Sequence, residues 1–411
     1  MQVEADATVS TIALGKRVPA DAMRSIERAL QIHHFKWDTR VGDLNALSPE
    51  PFLIAEKEWK WLCERAERAA KEMFAFELEI ACNPTLQRLI GIPRPLQKLL
   101  ADCEAQDTLR TLRFDFHPTS SGWLISEVNS DVPGGFGEAS FLPALFEPFR
   151  GRAVATTSPL SVWASAAKSL GKGHIALLHA PGYLEDQQVV RVLGRALKMG
   201  GSTPHLIQSP EALHWSRGGA RLTHDRSIQI DAVIRFFQAE WLAKLPARSG
   251  WQELFRRRES TRVSNPLESV ISESKRLPLC FDFMQASSQT WRELFPECRD
   301  PREIPESGRE DWVLKAAYSN TGDAVHIGAE LTKKAWKALL RTAQKDPLSW
   351  VAQRRFETVT LESFRGPVRP CVGVFVIGSK VAGAYVRLAT SQITDAHAME
   401  APLFVMPEDD H

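Results

Sequence analysis

The chain has 411 residues, of which 44% are apolar, and its 51 basic side chains nearly balance its 50 acidic ones. This length is sufficient for two or three subdomains, and the balanced charge argues against a nucleic-acid binder, which usually carries a basic excess or stripe. No apolar run approaches the roughly 18 residues of a membrane span, and residues 1–20 do not resemble a signal peptide. We therefore expect a cytoplasmic globular protein with no nucleic-acid or membrane partner.

The cysteines and histidines form no recognisable metal or catalytic motif. The six cysteines include no Cys-x-x-Cys pair, and the eleven histidines include no His-Glu-x-x-His. A zinc site or a redox motif is therefore not predicted. We interpret each histidine as structural or exposed.

The first part of the chain, residues 1–110, is predicted to be mainly helical. Apolar residues from Trp59 to Phe74 recur at the spacing of one helix face, and a looser amphipathic pattern runs from Asp21 to Ile32.

The next segment, residues 111–150, is predicted to form a hairpin and a loop. Residues 112–116 alternate between apolar and polar, as a half-buried strand should, and residues 123–129 follow a short turn as a second strand. Residues 130–137 are rich in glycine and predict a loop that leads away from the hairpin.

The hairpin carries a candidate metal site. Asp115 and Glu127 are twelve residues apart, and folding the hairpin brings them close, with Asn129 on the same strand face as Glu127. Their oxygens are the hard ligands that Mg²⁺ prefers, and Arg113 could hold a phosphate or carboxylate bidentately. The same spacing also fits an ordinary ion pair between Arg113 and Glu127, with Asp115 facing solvent.

The middle of the chain, residues 151–263, is predicted to be a Rossmann-like parallel α/β module. Residues 174–179, 204–207 and 231–237 are apolar and strand-like, and residues 185–199 have the pattern of an amphipathic helix. A dinucleotide-binding fingerprint is not supported, because Gly171-x-Gly173 precedes the first strand of this module rather than following it.

The last third of the chain mixes strands with one helix. A helix is predicted from Leu331 to Gln344, and Gly378-Ser379 predicts a hairpin turn. The segments predicted to be extended are residues 312–317, 324–327, 350–356, 372–377 and 381–388.

Two basic residues in this part end apolar strands. Lys315 precedes a small, polar loop at residues 319–323, and the lysine with Ser319 and Gly322 could hold ATP phosphates as the loop closes. Arg387 could neutralise charge on a transferring phosphoryl group. Viewed alone, each basic residue also fits a solvated side chain at a strand end.

Taken in order, several segments resemble the glutathionylspermidine synthase family of the ATP-grasp superfamily, specifically its synthetase part, over most of the chain. The segments are Phe35-Lys36-Trp37-Asp38, Ile92-Pro93, Arg113-Phe114-Asp115-Phe116, Glu127-Val128-Asn129-Ser130-Asp131-Val132-Pro133, Ser274-Lys275, Val313-Leu314-Lys315, Val351-Ala352-Gln353 and Gly383-Ala384-Tyr385-Val386-Arg387. The resemblance implies a mixed α/β (α+β) protein with an ATP-grasp fold. The lobes that hold ATP would span residues 264–411, and they would follow the helical N-terminal part and the Rossmann-like module in the chain.

The resemblance also implies a site and a reaction. The implied roles are Mg²⁺ binding for Asp115, Glu127 and Asn129, ATP binding for Lys275, Lys315 and Gln353, and catalysis for Arg113 and Arg387. With ATP and Mg²⁺, a carboxylate would become an acyl phosphate, and an amine would then displace phosphate to give an amide. The implied partners are an acid, which could be a peptide or a glutathione-like thiol, and an amine, which could be a polyamine. A homodimer is compatible with this resemblance.

Two departures from the family pattern predict a different acyl substrate. Val132 and Gly134 stand where the family carries small hydroxyl residues that help to hold its peptide substrate, and Asn320-Thr321-Gly322 replaces an Arg-Glu-Gly segment. Losing these donors weakens recognition of glutathione's carboxylates. Two alternatives stay open: a catalytically weak nucleotide-binding relative that acts as a sensor or partner protein, and a kinase-like phosphoryl transfer.

Overall fold

The computed structural model describes residues 11–42, 44–100, 109–256, 260–319, 322 and 324–408. Asn320, Thr321 and Asp323, which belong to the predicted phosphate-binding loop, lie outside the described residues.

Most of the predicted helices are present where the apolar spacing placed them. Within the described residues, the α-helices are α1 (Ala20–His33), α2 (Glu56–Ala81), α3 (Pro84–Leu89), α4 (Arg94–Leu100), α5 (Phe136–Leu145), α6 (Pro159–Ala166), α7 (Leu184–Met199), α8 (Ala239–Leu242), α9 (Ser269–Glu273), α10 (Gln289–Leu294) and α11 (Lys333–Lys345). The loop predicted at residues 130–137 is shorter than expected, because α5 already begins at Phe136. None of the described helices combines the length and the apolar character needed to cross a bilayer.

The strands are more numerous than the sequence pattern predicts. In chain order they are β1 (Ile12–Leu14), β2 (Arg40–Val41), β3 (Leu44–Asn45), β4 (Phe52–Ala55), β5 (Thr111–Thr119), β6 (Gly122–Asn129), β7 (Val154–Ala155), β8 (His174–His179), β9 (Thr203–Ile207), β10 (Leu213–Ser216), β11 (Gly219–Leu222), β12 (Gln229–Phe236), β13 (Arg262–Ser264), β14 (Cys298–Arg299), β15 (Trp312–Ala316), β16 (Val325–Ile327), β17 (Trp350–Arg354), β18 (Leu361–Ser363), β19 (Gly366–Ile377), β20 (Lys380–Ala389) and β21 (Met399–Met406).

A nine-stranded sheet contains both the first and the last of the described strands, β1 and β21, and holds the predicted hairpin. Its order is β1-β4-β21-β20-β19-β5-β6, with β18 beside β19 and β7 beside β21. Val372, Val374 and Val376 of β19 are fully buried, because α2 packs over this part of the sheet. The sheet therefore fixes the hairpin β5–β6 beside β19, and β20, which carries Arg387, lies on the other side of β19.

The middle segment forms the predicted parallel layer, with an extra hairpin. Strands β8, β9, β12 and β13 are parallel, and α7 packs on β8 and β9. The antiparallel strands β10 and β11 extend this sheet at the edge of β12 and were not predicted.

A separate four-stranded sheet has the order β14-β17-β15-β16. It is covered by α11, whose Trp336 and Leu340 pack with Trp312 and Leu314 of β15. Thr332 begins α11 as its N-cap, since its hydroxyl accepts from the backbone N–H of Ala335. This packing places Lys315 of β15 and Gln353 of β17 at the edge of a large cavity.

Candidate active site

A cavity of about 380 Å³ is lined by β5, β6, β15, β17, β20 and the start of α7. Most of the predicted site residues line it, namely Arg113, Glu127, Asn129, Lys275, Lys315, Ser319, Gly322, Gln353 and Arg387. Asp115 is completely buried behind this wall. The structure therefore brings together residues from widely separated parts of the chain.

The carboxylate of Asp115 lies between two arginines. Arg113 donates from Nε to Oδ1 at 2.8 Å and from Nη2 to Oδ2 at 3.0 Å, and Arg387 donates from Nη2 to Oδ2 at 2.6 Å. Asn129 adds a bond from Nδ2 at 3.1 Å. Burial alone would raise the pKa of Asp115, but the two guanidinium groups outweigh it and hold that pKa well below its ordinary value.

The strand register excludes the simple surface ion pair that the spacing also allowed. Asp115 lies opposite Glu127 in the β5–β6 ladder, and Arg113 lies opposite Asn129. Arg113 bonds to Asp115 on its own strand, and Asp115 is buried where the alternative interpretation placed it in solvent. That alternative is therefore wrong.

Glu127 faces the cavity and a lysine. Its Oε2 lies 3.3 Å from Nζ of Lys275, and its side chain remains 26% exposed. Burial would raise the pKa of Glu127, but Lys275 and Lys315 lower it below the ordinary value. Glu127 and Asp115 are therefore both ionised, on adjacent strands.

The two lysines are held by main-chain carbonyl groups. Nζ of Lys275 donates to the carbonyl of Ser319 at 2.8 Å, and Nζ of Lys315 donates to the carbonyl of Ser126 at 3.2 Å. Nε2 of Gln353 lies 3.5 Å from the same Ser126 carbonyl. Burial lowers the pKa of Lys315.

Before a substrate binds, the side chains of the cavity provide only some of the ligands that Mg²⁺ needs. Among the described residues, no group of three or more histidine, cysteine, aspartate or glutamate side chains could hold a metal ion. Glu127 nevertheless offers an ionised carboxylate that faces the cavity, which suits an ion that takes its other ligands from phosphate and water. Both oxygens of Asp115 already accept from arginine side chains, so Asp115 fits Mg²⁺ only if Arg387 or Arg113 releases it for a phosphate.

The cavity also contains an acidic cluster that sequence analysis did not assign. Nζ of Lys36 lies 2.5 Å from Oε1 of Glu138, 3.0 Å from Oδ1 of Asp38 and 3.1 Å from Oε1 of Glu400. Lys36 itself is only 8% exposed. Burial, followed by the neighbouring Glu138, raises the pKa of Glu400 to about 8 despite the opposing effect of Lys36.

Further acceptors lie at the start of α7. Asp186 is 3% exposed, and burial together with Glu185 raises its pKa to about 8. Its Oδ2, Oε1 of Gln238 and Oε2 of Glu400 are buried without a hydrogen-bond partner, and all three residues line the cavity. A ligand with several N–H donors would satisfy these acceptors.

The residues of this cluster show no distinctive pattern in the sequence. Two adjacent acids in the first turn of a helix, such as Glu185 and Asp186, are usually explained by the helix dipole alone. Lys36 lies in a family-like segment, where its position between two aromatic residues is the one signal in the sequence that could indicate a role. His117, interpreted as structural or exposed, is buried and lines the cavity, where its Nε2 lies 2.9 Å from Ser126 Oγ.

Gly134 is in tight contact with this acidic cluster. A Cβ added to Gly134 would lie 2.1 Å from Oε1 of Glu185, and the carbonyl of Gly134 accepts from Nη1 of Arg113 at 2.6 Å. A hydroxyl side chain therefore cannot occupy this position while Glu185 keeps its orientation. Glu185 presents a carboxylate at the place where the family pattern has a small hydroxyl donor.

Comparison with known proteins identifies one matching family and similar solved structures. The family model described as glutathionylspermidine synthase preATP-grasp matches residues 25–406. A glutathione synthetase-like effector from Globodera pallida, in its apo form, is similar with a TM-score of 0.66 at 14% identity, over 94% of this chain and 96% of that one. A protein assigned as a gamma-glutamylcysteine synthetase from Methylobacillus flagellatus has a TM-score of 0.41 at 11% identity, over 78% and 88%. A search of the curated proteins finds no match.

The match to the effector structure shows a shared fold, and the family match spans nearly the whole chain. The expected α/β fold of the ATP-grasp type, with a parallel sheet in the middle segment, is therefore confirmed. The chain belongs to the glutathionylspermidine synthase preATP-grasp family.

Proposed function

We propose that this protein is an ATP-dependent ligase that joins a carboxylate to an amine and releases ADP and phosphate. The observation that carries the proposal is the placement of four basic side chains and an acidic cluster in one cavity. The basic side chains are Arg113, Lys275, Lys315 and Arg387. Membership of a synthase family supports the ligase class.

The nucleotide would bind at the two lysines. Lys315 donates to a neutral carbonyl group, and Lys275 donates to another besides its ion pair with Glu127. Hydrogen bonds to charged phosphates are stronger than those to carbonyl groups, so phosphates can replace the carbonyl partners. Gln353 would contact the adenine, while Ser319 and Gly322 would cover the phosphates. In this arrangement, the lysines would neutralise the charge of a triphosphate, and the loop would shield it from solvent.

Asp115, Glu127 and Asn129 would hold Mg²⁺ together with phosphate oxygens. The ion would neutralise negative charge on the phosphates. Glu127 is open to the cavity and can exchange Lys275 for another cation. Asp115 also orients Arg113 and Arg387 through its hydrogen bonds.

Arg113 and Arg387 would hold the reacting carboxylate and stabilise the charge that develops on the transferring group. A carboxylate oxygen forms a bond to the γ-phosphorus as the bond to ADP breaks. The amine nitrogen then attacks the acyl carbon, phosphate leaves, and the nitrogen loses a proton. These steps ask the protein mainly to position groups and to balance charge.

The acidic cluster would bind the amine. The unpartnered acceptors on Asp186, Gln238 and Glu400 suit an ammonium group, which offers three donors and no acceptor. The acyl substrate would differ from glutathione, because Glu185 beside Gly134 repels a carboxylate at the position of the family's hydroxyl donors.

The test is a screen of carboxylate and amine pairs for ADP release, with products identified by mass. We expect ADP and a new amide in equal amounts, and no turnover by Glu127→Gln as the inactive control. A stable phosphorylated product without an amide would favour phosphoryl transfer instead. Nucleotide binding without ADP release from any pair would favour the non-catalytic alternative.

A further inference from the structure

The segment that carries Lys36 is anchored from outside the cavity. The ring of Phe35 lies under Arg195 at 5.2 Å, and the ring of Trp37 lies under Arg191 at 5.6 Å. The backbone N–H of Trp37 donates to Oε1 of Gln188 at 2.6 Å. Both aromatic side chains thus pack on α7, while Lys36 between them lines the cavity.

This arrangement requires a strained backbone. Phe35 has a φ of 60°, and no other non-glycine residue among those that the structure describes has a positive φ. Left-handed conformations cost a bulky residue on the order of 1–3 kcal/mol and persist where surrounding contacts enforce them. The strain points to a requirement for the inward position of Lys36.

The ammonium of Lys36 is matched to its surroundings. It has three N–H donors, and three carboxylates from three parts of the chain lie within 3.1 Å of Nζ. They belong to Asp38, to Glu138 of α5 and to Glu400 of β21. These carboxylates already have a cation, and the unpartnered oxygens that remain for a ligand are Oδ2 of Asp186, Oε1 of Gln238 and Oε2 of Glu400.

A ligand cation beside Lys36 would face a like charge. The carboxylate of Glu400 links the two positions, because its Oε1 lies 3.1 Å from Nζ of Lys36 while its Oε2 is buried without a partner. A ligand ammonium on Oε2 would therefore share one carboxylate with Lys36. Like charges side by side in a buried site are strongly unfavourable.

We propose that Lys36 is a specificity-determining residue: its ammonium fills one cation position of the acidic cluster, so the amine substrate is a short diamine with one ammonium group besides the reacting nitrogen. A triamine would bring a second ammonium against Lys36. This proposal depends on the proposed function in one respect, namely that an amine is a substrate. It can be tested separately, because amine binding can be measured without turnover.

The experiment is calorimetric binding of 1,4-diaminobutane and of spermidine to the complete protein. Nucleotide is left out, because polyamines also bind free ATP. The variants are Lys36→Met, which removes the charge, and Lys36→Arg, which keeps it. Lys380→Met is the matched control, since Lys380 is a surface lysine that is 72% exposed and pairs with Glu67.

We expect the wild type to bind the diamine at least as tightly as the triamine, and Lys36→Arg and Lys380→Met to keep this order. Lys36→Met should shift the ratio toward the triamine by about tenfold, a modest change for a buried like-charge contact. If Lys36→Met does not fold, the order in the wild type decides alone.

Three results would overturn the inference: a wild type that prefers the triamine by tenfold, a folded Lys36→Met with an unchanged ratio, or no amine binding at all. Amine binding with the expected order but no ADP release from any acid would leave the inference standing and overturn the proposed function.

Discussion

Arg387 and Asp115 are 272 residues apart in the chain, yet Nη2 of Arg387 lies 2.6 Å from Oδ2 of Asp115. Arg113 binds the same carboxylate from the neighbouring position on β5. One buried acid therefore orients both arginines that are proposed to act on the phosphoryl group. This relationship gives Asp115 a structural role in addition to its proposed metal role.

Removing the charge of Asp115 should affect both stability and turnover. Asp115→Asn leaves two buried guanidinium groups short of a counter-charge, and breaking a buried ion pair costs about 3–5 kcal/mol. Glu127→Gln should abolish turnover with little loss of stability, because Glu127 is 26% exposed and faces the cavity, and Lys275 keeps its hydrogen bond to the Ser319 carbonyl.

Urea unfolding and ADP release would measure the two effects for both variants. Equal unfolding midpoints for Asp115→Asn and the wild type would contradict the role of Asp115 as a buried anchor. Normal turnover in Glu127→Gln would remove it from the metal site.

Lys315 and Arg387 should contribute at different stages of the reaction. Lys315→Ala should weaken ATP binding, since Lys315 would contact phosphates in the ground state. Arg387→Ala should reduce kcat more than ATP affinity, because Arg387 is proposed to meet charge that develops during transfer. Nucleotide titration and steady-state kinetics on the same preparations would separate these effects, and equal losses of affinity in both variants would contradict the distinction.

The sequence predicted those elements whose pattern is local. Thr332 begins α11 as a capping residue, and the alternation in residues 112–116 places Arg113 and Asp115 on one strand face. Strand β21 was missed because it is buried on both faces and contains Pro402, which cannot donate to a sheet ladder.

Within the site, the sequence could not predict contacts that depend on the arrangement of the sheets. Lys36 and Glu400 are 364 residues apart, and their contact exists because β21 pairs with β4 near the N-terminal end of the chain. No local spacing carries this information. The proximity of Asp115 and Glu127, in contrast, follows from one short turn and was predictable, although their direct pairing also depends on a β-bulge between Asp115 and Phe116 that local spacing does not reveal.

Asp186 should make stability depend on pH. Burial and Glu185 raise its pKa to about 8, well above its unfolded value, so between pH 4 and 8 the folded state holds a proton that the unfolded state has lost. The contribution of Asp186 is therefore fully present below the unfolded pKa and is lost as pH rises through about 8.

Asp186→Asn should remove this dependence, which amounts to at most about 1.4 kcal/mol per pH unit. Urea unfolding from pH 5 to 8 would measure it, with Asp346→Asn as a control at an exposed aspartate. Parallel pH profiles for wild type and Asp186→Asn would show that this carboxyl does not titrate as described.

The acyl substrate provides the most demanding prediction. Val132 and Gly134 lack the hydroxyl donors of the family pattern, and Glu185 lies so close to Gly134 that a Cβ there would be 2.1 Å from Oε1. A carboxylate of glutathione at this position would lose its partners and face a negative charge, at a cost of order a few kcal/mol, or 10²-fold or more in efficiency.

Glutathione with spermidine should therefore be a poor substrate pair, and Glu185→Gln should improve it by removing the opposing charge. Steady-state kinetics of ADP release would compare the wild type with this variant, with Glu211→Gln as a control at an exposed glutamate. An efficiency of about 10⁴ M⁻¹s⁻¹ or above for the wild type, a value typical of metabolic enzymes, would mean that these departures are neutral. The unpaired acceptors near Glu185 would then lie in a site that binds an anionic peptide despite the neighbouring carboxylate.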